Sequence, residues 1–170
     1  AGLLLQMPDS FLRNAFPDGS GKLPPKGEYA VGMVFMPSDK AIAKQCEAVL
    51  EEVVRAEGCE ILGWRHVPVD PSCLGQLALS TRPEFRQVFI APGSVSLPEF
   101  ERKLYVIRRM VENRISRWQD RDTSQFYVAS LSSRTIVYKG MLTGTQLQQF
   151  FPDLASPDFK SAFCIVHQRY

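Results

Sequence analysis

The sequence predicts a mixed α/β or α+β domain with a substantial sheet. Apolar runs rich in β-branched and aromatic residues recur, as in "EYAVGMVFM" from Glu28 and "EFRQVFIAP" from Glu84. Two longer segments, beginning at Ser38 and Leu97, carry apolar residues at helical spacing, the signature of amphipathic helices. Strand-like and helix-like segments alternate, and layers of helix on sheet bury both kinds of apolar face.

The elements follow in order. "GLLLQM" is a short apolar strand, and "PDSFLRNAF" a short helix with Pro8 early and Asp9 or Ser10 as its cap. "PDGSGKLPPKG", Pro17 to Gly27, reads as a surface loop. Glu28 to Met36 is a strand buried on both faces. In the helix that follows, Ser38 or Asp39 is the cap and Gly58 the stop. Ile42, Cys46, Val49, Leu50 and Val53 form its apolar stripe. "EILGWRHVPV" is a strand weakened by Gly63 and Pro68. "DPSCLGQLALSTRP" is a short helix and turn, and "EFRQVFIAP" the next strand.

The second long helix places Phe100, Leu104, Ile107, Val111 and Trp118 on one face, with Glu99 and Lys103 as an i,i+4 pair. "QFYVASLS" and "TIVYKG", separated by a short polar turn, read as a hairpin. Helical turns and loop then lead to a last strand, "AFCIVHQR". That strand reads as buried, because its run is apolar.

The 170 residues suit one domain. A hydrophobic share of 45% and a charged share of 22% are those of a soluble globular protein. A net charge of +2 argues against nucleic acid or an anionic membrane as the main partner. No apolar run approaches the ~18 residues of a membrane span. "AGLLLQM" lacks the basic flank and the length of a signal peptide.

Cys46, Cys59, Cys73 and Cys164 include no CxxC and read as reduced thiols of a cytosol-like compartment. Cys46 and Cys164 sit in apolar patterns and are expected in the core. No Cys, His and carboxylate cluster has metal-ligand spacing. His66 and His167 lie in separate strand-like segments and read as sheet residues. Arg108, Arg109, Arg114, Arg117 and Arg121 raise a phosphate-binding reading, but Glu101, Glu112 and Asp120 are interspersed.

No Gly-rich phosphate loop, GxSxG or HExxH is present. One placement stands out: Arg169 follows the apolar run Ala162 to Val166. An arginine at the tip of a strand can present its planar fork to a carboxylate. A salt bridge to a neighbouring loop is the alternative.

Five segments carry a resemblance: "KGEYAVGMVFMP", "LGWRHVPVD", "FERKLYVIRR", "FYVASLSSRTIVYKGML" and "FPDLASPDFKSAFCIVHQRY". In this order, over nearly the whole chain, they resemble the type 2 glutamine amidotransferase domain of glutamate synthases, in the large-subunit or ferredoxin-dependent form. The resemblance makes residues 1–170 a partial domain of that type. It implies an α+β fold, an incomplete four-layer αββα sandwich of the N-terminal-nucleophile hydrolase type.

The resemblance also implies a chemistry. An N-terminal cysteine attacks the side-chain amide of glutamine, with its own α-amine as base. A thioester forms, ammonia leaves, and water releases glutamate. Ammonia passes through a tunnel to a flavin domain and reacts there with 2-oxoglutarate, and the imine is reduced to a second glutamate. FMN, an iron–sulfur cluster and the donor, NAD(P)H or ferredoxin, belong to the parent enzyme, and no cofactor is expected in this segment. The expected partners are glutamine and the remaining domains of the parent. The expected location is the cytoplasm, or the plastid stroma in a photosynthetic eukaryote.

His167, Arg169 and Tyr170 match the start of the family's H-x-R-[FY]-S-T-N-T motif. Arg169 is thereby expected to bind the α-carboxylate of glutamine. Residue 1 is Ala, and the resemblance promotes none of the four cysteines to nucleophile. The segment alone is thus expected to be inactive, poorly soluble or self-associating. A non-catalytic structural or interaction module is the alternative reading. Tyr138, Lys139 and Gly140 lie either near the glutamine pocket or the interface that couples the two active sites, or in a hairpin strand with Gly140 serving its exit turn.

Overall fold

The computed structural model describes residues 1–16 and 23–168. The chain runs β1 (Gly2–Gln6), α1 (Asp9–Ala15), β2 (Ala30–Met36), α2 (Lys40–Ala56), β3 (Glu60–His66), α3 (Gln76–Ser80), β4 (Glu84–Ala91), α4 (Leu97–Ser116), β5 (Tyr127–Ser132), β6 (Thr135–Lys139), α5 (Gly144–Phe150) and β7 (Cys164–His167). Short 3-10 turns occupy Pro71–Cys73 and Pro152–Ala155. Of the expected Pro17 to Gly27 loop, the first six residues lie outside the described residues.

The strands form two sheets, ordered β3-β4-β2-β5 and β6-β1-β7, with every pair antiparallel. Antiparallel pairing decides for α+β over α/β. β2 shows why its sequence is apolar throughout. Successive side chains alternate across a strand: Val31 and Met33 join the core between the sheets, while Ala30, Val34 and Met36 pack under the helices.

α2 and α4 form that helical layer. Asp39 caps α2 by accepting from the amides of Ala41 and Ile42, at 2.8 and 3.0 Å. Gly58 follows the helix at φ +81°, the left-handed stop that glycine takes most easily. Ala43, Cys46, Leu50, Val53 and Val54 are buried, as are Phe100, Leu104, Ile107, Val111 and Ile115 of α4. Two antiparallel sheets and one helical layer are thus the parts of the expected sandwich seen among the described residues.

Several local expectations need correction. Neither Asp9 nor Ser10 caps α1; Pro8 holds that position, and Asp9 instead pairs with Arg13 and accepts from the Tyr29 phenol. Lys103 reaches Glu57 at 2.8 Å, whereas Glu99 meets Arg102. Glu57 ends the neighbouring helix, so a contact between helices displaces the one within α4. The two runs read as a hairpin are strands of different sheets. A tight two-residue hairpin needs positive φ, and no non-glycine residue here adopts it. Ser133 and Arg134 therefore turn a corner that carries the chain from one sheet to the other. Glu101 of α4 holds the corner, accepting from the Ser133 amide at 2.9 Å and from the Ser132 hydroxyl.

Among the described residues β7 is an edge strand, paired only with β1, and all four of its residues are exposed. Cys46 is buried as expected, but Cys164 is not.

Candidate functional site

The antiparallel register brings three strand ends together. Gly2 pairs with His167 on one side and Lys139 on the other. The start of β1, the end of β6 and the end of β7 therefore meet at one edge. Gly2 is required by this close approach, because a Cβ there would lie 2.8 Å from Lys139 Cβ. The Ala1 nitrogen sits 2.6 Å from the Leu142 carbonyl oxygen, and the Gly140 amide donates to the Ala1 carbonyl at 3.2 Å. Arg169, the expected carboxylate ligand, lies two residues beyond His167 and outside the described residues, as does Tyr170.

A cavity of about 480 Å³ lies on each face of this edge. Leu3, Leu5, Leu147, Leu154, Phe159 and Cys164 line the first, with Gln148 and Gln168 among its polar groups. Leu4, Phe35, Val137, Met141 and Ile165 line the second, with Lys139 and His167. Cys164 is thus at a cavity, with no imidazole or carboxylate among the described residues that line it. His66 and His167 are both exposed strand residues.

The structure separates Tyr138, Lys139 and Gly140. Tyr138 is wholly buried. Lys139 turns the other way and donates to the Tyr127 phenol at 3.1 Å, with its ammonium 4.2 Å from the ring centre. That hydrogen bond pulls the Tyr127 phenol below its usual pKa, against the opposing effect of burial. Gly140 borders the second cavity and ends the strand without left-handed backbone.

Sequence reasoning missed a buried polar cluster between the sheets. Arg65 of β3 meets Asp153 with two hydrogen bonds of 2.7 Å and donates to Gln87 of β4 at 2.9 Å. Gln87 donates to the Tyr138 phenol at 2.9 Å, and that phenol donates to Asp153 at 2.8 Å. Burial, with Asp153 beside it, pushes the Tyr138 phenol well above its ordinary pKa, so it stays a donor. No spacing rule marks these four residues, which come from four separate elements, and β3 and β4 carry other charged residues besides.

Four of the five arginines read as a possible phosphate site, three in α4 and Arg121 beyond it, meet acids. Arg108 and Arg109 both meet Glu112, Arg114 meets Glu52, and Arg121 meets Asp120. Among the described residues no group of three His, Cys, Asp or Glu could hold a metal ion, and no helix is long and apolar enough to cross a membrane.

Comparison with known proteins agrees with this architecture. The sequence profile of the family described as "Glutamine amidotransferases class-II" matches residues 1–170. The large chain of the NADPH glutamate synthase of Bacillus subtilis is 44% identical over 172 residues, covering 100% of this chain and 11% of that protein. The chloroplastic ferredoxin-dependent glutamate synthase of Oryza sativa is 42% identical over 143 residues, covering 82% of this chain and 9% of that protein. The NADH glutamate synthase of Saccharomyces cerevisiae is 36% identical over 183 residues, covering 100% of this chain and 8% of that protein. The chain thus spans about a tenth of the length of the curated relatives it matches. With a family profile matched along its full length and two antiparallel sheets beneath a helical layer, the chain belongs to the class-II glutamine amidotransferases.

Proposed function

We propose that this chain is part of the glutamine-hydrolysing domain of a glutamate synthase, whose parent enzyme converts glutamine and 2-oxoglutarate into two glutamates. The observation that carries this reading is the likeness to glutamate synthases of three electron-donor types, two of them along the whole chain. Arg169 is assigned to the α-carboxylate of glutamine, a planar fork matched to a planar anion. In sequence it comes two residues after His167, which pairs with Gly2 at the end of β7.

The nucleophile is a cysteine elsewhere in the parent. Its thiolate adds to the glutamine amide carbon, the C–N bond breaks, and the nitrogen leaves as ammonia after taking up a proton. Water then opens the thioester to give glutamate and the free thiol. FMN and an iron–sulfur cluster are assigned to other parts of the parent. A cluster needs several cysteine thiolates converging, whereas Cys46 and Cys59 are buried in the helical layer and no metal-holding group occurs among the described residues. The residues here therefore do not fit the cluster. The donor is a reduced nicotinamide cofactor or ferredoxin, the kinds named in the relatives. The place of action is the cytoplasm, or the plastid stroma in a photosynthetic eukaryote.

Glutamine hydrolysis by the full-length parent tests this reading. Glutamate release is expected, and Arg169→Lys should raise KM for glutamine more than it lowers kcat. A parent without glutaminase activity would overturn the reading in favour of a structural or interaction module. The 170-residue segment alone should show no turnover, and turnover by it would refute the external nucleophile.

A further inference from the structure

We propose that the Arg65–Gln87–Tyr138–Asp153 cluster is a positioning unit for the glutamine site, with Tyr138 its central positioning residue. The inference rests on the function proposed above. Four elements contribute: β3, β4, β6 and the 3-10 turn Pro152–Ala155. The Tyr138 hydroxyl uses both its capacities, accepting from Gln87 and donating to Asp153. Gln87 and Tyr138 are fully buried, and Asp153 is 4% exposed.

Stability alone is a poor reason for such a cluster. Well-packed apolar residues serve as well as a buried ion pair, or better. A satisfied polar network instead selects one arrangement, because any slip strands a donor or a charge away from water. The arrangement selected here is that of the cavity walls. Lys139 and Gly140, next in sequence to Tyr138, border one cavity. Leu154, next to Asp153, and Phe159, packed edge-on against the Tyr138 ring at 5.5 Å, border the other together with Gln168. The chain from Asp153 through Phe159 also leads into β7, the strand that precedes Arg169. Tyr138 and Asp153 thus tie the end of β6 and the approach to β7 to the four-stranded sheet. A glutamine pocket walled by these cavities depends on that tie to keep its shape.

The test uses the full-length parent enzyme. Tyr138→Phe removes one hydroxyl and keeps the ring. Gly32→Ala, on the helical side of the four-stranded sheet, is the control for general destabilisation. Tyr138→Phe is expected to raise KM for glutamine at least about fivefold while glutaminase kcat changes less than about twofold. Gly32→Ala is expected to lower the melting temperature and leave that KM unchanged. A Tyr138→Phe enzyme with unaltered KM, or equal rises in KM for both variants, would overturn the proposal. Should Tyr138→Phe not fold, Gln87→Leu, which removes one hydrogen bond to the same phenol, is judged by the same outcomes. A wild-type parent that does not hydrolyse glutamine would refute the proposed function instead.

Discussion

Arg65 and Asp153 face each other between the sheets as a two-pronged ion pair, with 2.7 Å from each terminal guanidinium nitrogen to a carboxylate oxygen. Their side chains are 11% and 3% exposed. Burial alone would make Arg65 easier to deprotonate, but Asp153 outweighs it and holds the guanidinium charged. Asp153→Ala leaves that charge buried and unpaired. It should cost about 3–5 kcal/mol. Replacing both partners, as Arg65→Met with Asp153→Leu, should cost less than the sum of the single changes. Urea unfolding at submicromolar concentration, read by the fluorescence of Trp64 and Trp118, measures the cycle. Additive losses would refute the coupling.

Gly32 lies in β2, between β4 and β5 of the four-stranded sheet. A Cβ at this position would stand 2.7 Å from Val88 Cγ1 and 2.9 Å from Leu131 Cδ1. Both neighbours belong to the buried cluster under α2 and α4, so neither can move without displacing others. Gly32→Ala should therefore destabilise by about 1–3 kcal/mol, as overpacking does. An unchanged urea midpoint would show that the layer yields more readily than its packing implies.

The helices were the most legible elements, because each presents one apolar face and one charged face. Asp39 as cap, Gly58 as stop and the Cys46–Leu50–Val53 stripe all stand where local pattern places them. Strand positions were equally legible, but their partners were not. Whether Ser132 and Thr135 begin a hairpin or a corner depends on turn dihedrals and on Glu101, a residue about thirty positions upstream. Cys164 misled because a five-residue apolar run, Ala162 to Val166, looks the same at the edge of a sheet as at its centre. The expectation of a glutamine site at Arg169 came only through resemblance. Arg65 and Asp153 are 88 positions apart, and no spacing links two residues that meet only after both sheets have formed.

The buried thiols predict a loss of stability in alkali. Burial pushes the Cys46 thiol up to about 11 and raises that of Cys59 as well. An unfolded thiol ionises near about 8.5. Between these values the native state keeps a proton that the unfolded state has lost. The stabilisation is complete below about pH 8.5 and disappears as pH rises through the native value. Each such group contributes a slope of at most about 1.4 kcal/mol per pH unit. Urea midpoints measured from about pH 8 to 10 should fall, and Cys46→Ala should flatten the fall while lowering stability throughout. An unchanged slope in that variant would remove Cys46 as a cause.

The edge strand β7 predicts how the 170-residue segment behaves alone. Its outer edge has no strand partner among the described residues, and Phe163, Ile165 and Val166 are 46%, 61% and 68% exposed. An unpaired edge with apolar side chains is a template for another strand. The segment should therefore self-associate, with a sedimentation coefficient that rises with concentration. Ile165→Lys should suppress this, because a charge on an edge strand disfavours pairing with a second copy and the exposed side chain has little packing to lose. A monodisperse, cooperatively unfolding monomer would show that β7 is adequately protected as it stands. Association that persists unchanged in Ile165→Lys would move the contact elsewhere, to the apolar residues Tyr105, Val106 and Met110 exposed on α4.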